Sequence, residues 1–368
     1  MVSTPANVAT PNISYCFLRG AVVDGSGTIV AGDPGWMLSH TLVINSASDT
    51  AARNSSGALS YGSALVSIPR DHRMGDLETP TWWSFSVLPN AGGYVALTRV
   101  GYEDRGTFFQ DIHAAVALSA TKSAFVFIHG YNVSFEDAAR RTAQMAYDLG
   151  FDGAPILYSW PSQGKTQEYP ADEDSVQWTV EHLRAFLIDV AQKSGAQRVQ
   201  LIAHSMGNRA LLNALDQLAE THSIVKFREV VLAAPDIDAD IFRQLSNAIC
   251  SQSGRVTLYA SSADLALTAS QQFHKYARAG ESGKNLVVLP GIDTIDATKV
   301  DTGFLGHSYF AGNRSILADV FSCSGTTCRL SRGSAWSYKG GTNCRIGSSN
   351  LETLRFAPVA AGGLLLFY

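Results

Sequence analysis

The segment Ala203-His204-Ser205-Met206-Gly207 places a serine between two small residues. A serine hydroxyl becomes a nucleophile when it sits on a sharp strand-to-helix turn that projects its Oγ clear of the sheet. The turn is strained, so the flanking positions need small side chains to clear the backbone. Alanine at the first position adds only one methyl to the usual glycine. The pattern alone is weak, because Ala58-Leu59-Ser60-Tyr61-Gly62 matches it equally well. Context separates the two. Ser60 follows a polar Asn-Ser-Ser-Gly stretch and precedes a strand-like run, which leaves no elbow. Ser205 follows an apolar run and opens a helical stretch, Asn208 to Leu218, with Ala210, Leu211, Ala214, Leu215 and Leu218 available to pack. The bland alternative for Ser205 is a helix N-cap.

A serine nucleophile needs a histidine to take its proton and an acid to hold the imidazole in the right tautomer. When the serine sits on such an elbow, the chain order is Ser, then Asp or Glu, then His. Three histidines follow Ser205: His222, His274 and His307. His222 precedes the next strand in a polar connection, away from the catalytic edge. A helix after Asp264 that runs back down the sheet would carry His274 about 15 Å from the strand end at 1.5 Å per residue. His307, in a long loop after the last strand, returns to the carboxyl edge and is the chosen base. Asp264, after the run Val256–Ala260, is favoured as the acid over Asp236 and Asp238, because the end of the penultimate strand lies beside the final histidine loop; the alternative for Asp236 is helix capping in Asp236-Ile237-Asp238-Ala239-Asp240. The oxyanion would be held by the N–H of Met206 and by that of Tyr131 in His129-Gly130-Tyr131-Asn132. His129 is a pocket residue or a brace for that loop. Trp160, ending the next strand in Ser159-Trp160-Pro161, is a substrate contact or simple packing.

These groups must be carried by strands that end on one edge. Short apolar runs recur at Ala124–Ile128, Pro155–Tyr158, Val199–Ala203, Val230–Ala234, Val256–Ala260 and Leu286–Leu289. Runs of this kind read as strands buried on both faces of a parallel sheet. Helical stripes lie between them. One opens on the capping pattern Ser134-Phe135-Glu136-Asp137 and ends at Gly150. Another runs from Val176 to Val190, capped by Asp174 or Ser175 and closed by Gly195. Strands alternating with helices predict a doubly wound, mostly parallel sheet with helices on both faces, with its site at the carboxyl ends of the strands. Ala64–Pro69 and Tyr94–Thr98 read as strands that begin the same sheet antiparallel. The expected organisation is an unassigned N-terminal extension over 1–60, a domain over 61–322, and a tail over 323–368 whose apolar end packs back on the domain.

Composition narrows the partners. Of 368 residues, 46% are hydrophobic and 16% charged, and the net charge is −4, so no whole-molecule basic field is available to grip nucleic acid or an anionic membrane. No apolar run is long enough to span a bilayer. No signal peptide is visible at the N-terminus, which favours a cytoplasmic location. No phosphate-binding glycine loop follows a strand, and no cofactor or metal is called for. Of the five cysteines, Cys323 and Cys328 are close enough to pair or stand as bystander thiols.

The chain resembles a family of esterase-like bacterial α/β-hydrolases grouped as a domain of unknown function. The resemblance rests on Val66-Ser67-Ile68-Pro69-Arg70-Asp71-His72, Phe127-Ile128-His129-Gly130-Tyr131-Asn132, Ala203-His204-Ser205-Met206-Gly207-Asn208-Arg209, Ala234-Pro235-Asp236-Ile237-Asp238 and Gly306-His307-Ser308-Tyr309-Phe310. It covers roughly residues 64 to 321. It implies an α/β-hydrolase fold and a nucleophile, acid and base falling on Ser205, Asp264 and His307. The expected substrate is a small-molecule carboxylic ester of short to medium acyl chain. Acyl transfer, peptide hydrolysis or a non-catalytic binding role are the alternatives. Physiological substrate and oligomeric state are not legible.

Overall fold

A computed structural model describes residues 18–19, 21–23, 29–31, 36–45, 53, 57–78, 93–221, 225–298 and 337–340. His307, His222, Cys323 and Cys328 lie outside these residues. In chain order the strands are β1 (Leu18–Arg19), β2 (Ala21–Val23), β3 (Ile29–Ala31), β4 (Trp36–Asn45), β5 (Ser60–Pro69), β6 (Ala96–Glu103), β7 (Ser123–Ile128), β8 (Ala154–Ser159), β9 (Arg198–His204), β10 (Glu229–Ala233), β11 (Val256–Ala260), β12 (Asp293–Asp296) and β13 (Ser337–Gly340). The helices are α1 (Arg105–Leu118), α2 (Phe135–Asp148), α3 (Tyr169–Trp178), α4 (Val180–Lys193), α5 (Gly207–Glu220), α6 (Ala239–Gln252) and α7 (Leu265–His274).

One large sheet runs in the order β13-β12-β11-β10-β9-β7-β8-β4-β5-β6, with β1 on β4. From β12 to β4 every neighbouring pair is parallel; β5, β6 and β13 join antiparallel. The region 1–60 thus supplies β4, seated between β5 and β8, and the tail supplies β13 at the far edge.

The strands are apolar on both faces, as a covered parallel sheet requires. Along β7, Ala124, Val126 and Ile128 join one core with α1, α4, α5 and α6, while Phe125 and Phe127 join a second core with α2. The two-residue period of the strand divides each run between the helical layers.

Two expectations are corrected. Leu286–Leu289 is not a strand: it follows a 3-10 turn at Gly283–Asn285, buries Val287 and leaves Val288 exposed. The last parallel strand is the polar β12, and its Thr294 Oγ1 donates to the Val287 carbonyl at 2.9 Å. The stripe from Val176 to Val190 belongs to two helices, so Asp174 and Ser175 are interior to α3 rather than caps. The helices meet at Thr179, whose Oγ1 and carbonyl face the buried Tyr158 hydroxyl at 2.8 and 3.4 Å.

The motif ending in His72 has a structural role at the edge opposite the strand ends that carry Ser205. His72 Nδ1 lies 2.8 Å from Glu78 and Nε2 lies 2.8 Å from Asp148, the last residue of α2. Asp148 also accepts the Gly75 N–H at 2.7 Å. Burial pushes the His72 imidazole down, but its bonds to Asp148 and Glu78 outweigh this and raise it above the ordinary value. Its stabilising effect is therefore complete below the unfolded value of about 6.5 and is lost as pH rises through the higher folded value. His72→Gln is expected to cost about 3 kcal/mol at pH 6. Urea unfolding should show that cost shrinking toward pH 9; a cost independent of pH would contradict the charged clamp.

Candidate active site

Ser205 has φ 51° and lies between β9 and α5, so it occupies a left-handed turn. That conformation costs a non-glycine residue about 1–2 kcal/mol and persists only where surrounding contacts enforce it. Here they do. The Ser205 N–H donates to the Ala233 carbonyl at 3.0 Å, and its own carbonyl accepts the Asp236 N–H at 3.2 Å. The Asn208 amide donates to the Ser205 carbonyl at 2.9 Å and to that of Ala233 at 3.2 Å. Ala234, at the end of the adjacent β10, is also left-handed, with φ 45°. Two strained turns therefore lie side by side at the carboxyl edge. Ser60, by contrast, begins β5 and is followed by nine further strand residues, so it has no elbow.

Both glycines of this region are set by close approach. A Cβ on Gly207 would collide with the His129 carbonyl oxygen and lie 2.9 Å from that of Ile128, which explains the second small residue of the motif. A Cβ on Gly130 would lie 2.8 Å from His204 Nδ1 and 2.9 Å from Ser205 Cβ. The loop after β7 thus rests directly on the serine residue.

The same loop is braced from below. His129 is buried, and its Nδ1–H donates to the Gly130 carbonyl at 2.9 Å while Nε2 accepts the Trp160 N–H at 3.1 Å. Burial pushes its imidazole down to about 4, so it is neutral near pH 7. Trp160, 1% exposed, stacks on His129 with ring centroids 5.1 Å apart and donates its indole N–H to the His129 carbonyl at 2.7 Å. Asn132, at φ 56°, directs its N–H to the buried Asp172 carboxylate at 3.5 Å. Asp172 also accepts from Ser162 Oγ at 2.7 Å and the Gln163 N–H at 2.8 Å, and burial raises its carboxyl above the usual range.

The acid candidates are held differently. Asp264 follows β11 and is 1% exposed; its Oδ1 caps α7 by accepting the Leu267 N–H at 3.0 Å. Asp236 follows β10 and is not a cap, contrary to its sequence reading: Asp238 caps α6, accepting from the Asp240 and Ile241 amides. Four donors converge on the Asp236 carboxylate, from Tyr169, Ser270, Arg209 and Arg278. Burial pushes this carboxyl up, but Arg209 and Arg278 outweigh it and hold it at about 2.

His274 is also placed otherwise than expected. The helix α7 is capped by Asp264 and ends with His274 Nε2 2.8 Å from Glu173, while Glu173 pairs with Arg209 near the start of α5 at 2.5 Å. The helix therefore lies across the carboxyl edge instead of running back down the sheet. Both His274 nitrogens face acceptors, since Nδ1 is 2.8 Å from the Ser270 carbonyl. The network of Arg209, Asp236 and Arg278 was missed by sequence reasoning; its only visible signal is that Arg209 and Asp236 fall inside the quoted motifs. Among the described residues, no helix is long and apolar enough to cross a membrane.

A family model described as "Alpha/beta hydrolase of unknown function (DUF900)" matches residues 105–323, more than half of the chain. No curated protein is matched. Among solved structures, a predicted CIB-like hydrolase from Thermoplasma acidophilum is 12% identical over 56% of this chain and 88% of its own, with a TM-score of 0.31. An esterase from Pyrobaculum calidifontis is 12% identical over 72% and 80%, with a TM-score of 0.32. An esterase from Pyrococcus furiosus is 15% identical over 49% and 72%, with a TM-score of 0.28.

Proposed function

Because the chain belongs to the α/β-hydrolase family of unknown function DUF900, we propose that it is a serine hydrolase that cleaves carboxylic esters through an acyl-enzyme. The observation that carries this reading is the left-handed Ser205 between β9 and α5, with the Gly130 loop pressed against it. Ser205 Oγ attacks the ester carbonyl as His307 takes its proton. The N–H groups of Met206 and Tyr131 stabilise the oxyanion. His307 then protonates the leaving alkoxide, and water, activated by the same histidine, releases the acid. Asp264 orients His307. It is preferred over Asp236 because the latter's carboxylate is already engaged by two guanidinium and two hydroxyl groups. His129 and Trp160, buried against one another, hold the oxyanion loop rather than touch substrate. Short to medium acyl chains are the default substrate class, which rests on the fold alone.

Hydrolysis of p-nitrophenyl acetate and butyrate tests the reading. The expected result is a burst of p-nitrophenol stoichiometric with protein, the signature of a covalent intermediate. No turnover of either ester would contradict it. Gly130→Ala should lower kcat/KM on the same esters on the order of 100-fold, because a displacement of about 1 Å at a reacting group costs that much. A wild-type kcat/KM in that variant would remove the loop from the site.

A further inference from the structure

Asp236 is engaged through all three of its polar groups. Its N–H donates to the Ser205 carbonyl at 3.2 Å. Its own carbonyl accepts from Arg209 Nε at 2.5 Å and from the Arg278 guanidinium at 3.4 Å. Its carboxylate accepts from Arg278 Nε at 2.8 Å, Ser270 Oγ at 2.6 Å, Tyr169 OH at 2.6 Å and the Arg209 guanidinium at 3.3 Å. Asp236 and Arg278 are each 3% exposed, and Arg209 is half-buried.

Each partner brings a different element to this carboxylate. Arg209 belongs to the first turn of α5, Tyr169 to the start of α3, and Ser270 to the middle of α7. Arg278 sits on a segment bound to the turn after β10 by backbone bonds from Ala279 to Ile237 and from Gly280 to Pro235. Gly280 lies so close that a Cβ there would come within 2.7 Å of the Ala234 carbonyl carbon and the Pro235 nitrogen. Ser205 and Ala234, both left-handed, lie within the turns that these bonds join.

We propose that Asp236, clamped between Arg209 and Arg278, is a positioning residue that locks the strained turn carrying Ser205. The inference rests on the reading of Ser205 as the nucleophile. The clamp fixes the Asp236 backbone, and the Asp236 N–H in turn fixes the Ser205 carbonyl and so the direction of the elbow. Retention of the carboxylate charge is supported by the two guanidinium groups, which hold it ionised throughout the neutral range. Without it, the buried Arg278 guanidinium would lose its carboxylate partner beside the turn, and the turn would relax away from its left-handed geometry. Asp236 itself reacts with nothing; it acts through the placement of Ser205.

The test compares wild type, Asp236→Asn and Arg278→Lys in the rate at which a fluorophosphonate labels Ser205, with thermal unfolding followed in parallel. Rates are taken at a temperature where each protein is fully folded. Asp236→Asn is expected to slow labelling on the order of 100-fold, the cost of misplacing a reacting atom by about 1 Å. Arg278→Lys, which keeps the charge but loses the planar fork, should show a smaller loss in the same direction. A purely structural role would lower the unfolding temperature and leave the labelling rate of the folded protein at the wild-type value; that result overturns the inference. Should Asp236→Asn fail to fold, Arg278→Lys decides by the same criterion. Wild type that takes no label at Ser205 would instead overturn the nucleophile reading beneath it.

Discussion

Ser205→Ala is expected to lower ester turnover by about 10⁶-fold, the loss typical of removing a nucleophile whose partners act as a unit. The unfolding midpoint should stay close to wild type. Alanine keeps the backbone bonds from Ser205 to Ala233 and Asp236, and it bears the same left-handed strain as serine. Activity and stability therefore separate in this variant, which distinguishes loss of chemistry from loss of fold. Ser60→Ala is the matched control, because Ser60 begins the antiparallel strand β5 and carries no helix after it. Its turnover should equal wild type. Initial rates on p-nitrophenyl butyrate, with urea unfolding alongside, check both expectations. Equal losses in the two variants would point to a non-specific cause.

Asp264→Asn is expected to cost about 10⁴-fold in kcat, because an amide cannot hold the catalytic imidazole in the required tautomer. Asparagine still caps a helix about as well as aspartate. It can keep the bond from the Leu267 N–H that now goes to Asp264 Oδ1, so α7 should persist. The magnitude also separates the two carboxylates. Loss of Asp264 removes the orienting charge, whereas loss of Asp236 displaces the serine and should cost roughly 100-fold. Turnover undiminished in Asp264→Asn would move the acid role to Asp236 or Asp238. Steady-state kinetics on one ester, with both variants at the same pH, give the comparison.

How much of this was legible in the sequence depends on the range of the interactions involved. The strands β7, β8, β9, β10 and β11 stand out because burial on both faces demands uninterrupted apolar runs. The start of α2 is equally visible, since Ser134 accepts the Asp137 N–H at 3.1 Å through a purely local bond. The strand β12 hides because three of its four residues, Asp293, Thr294 and Asp296, are polar, while the apolar run before it packs without joining the sheet. The break at Thr179 hides for another reason: the Tyr158 hydroxyl that meets it comes from twenty-one residues upstream.

The site shows the same division. Ser205 was separable from Ser60 by local context alone, and its φ of 51° agrees with the elbow that context predicts. The Asp236 network spans Tyr169 to Arg278, so no window of sequence contains it. Helix capping was the reasonable local reading of Asp236-Ile237-Asp238-Ala239-Asp240, and it falls two residues later, on Asp238. His274 was set aside on the assumption that α7 runs down the sheet. Its bond to Glu173 shows the helix lying across the edge.

The central claim, that Ser205 is the nucleophile of an acyl-transferring hydrolase, is tested most directly by locating a fluorophosphonate adduct by peptide mass spectrometry. Wild type should carry one adduct, on the peptide containing Ser205, and Ser205→Ala should carry none. An adduct on any other residue, or labelling that survives Ser205→Ala, would contradict the account.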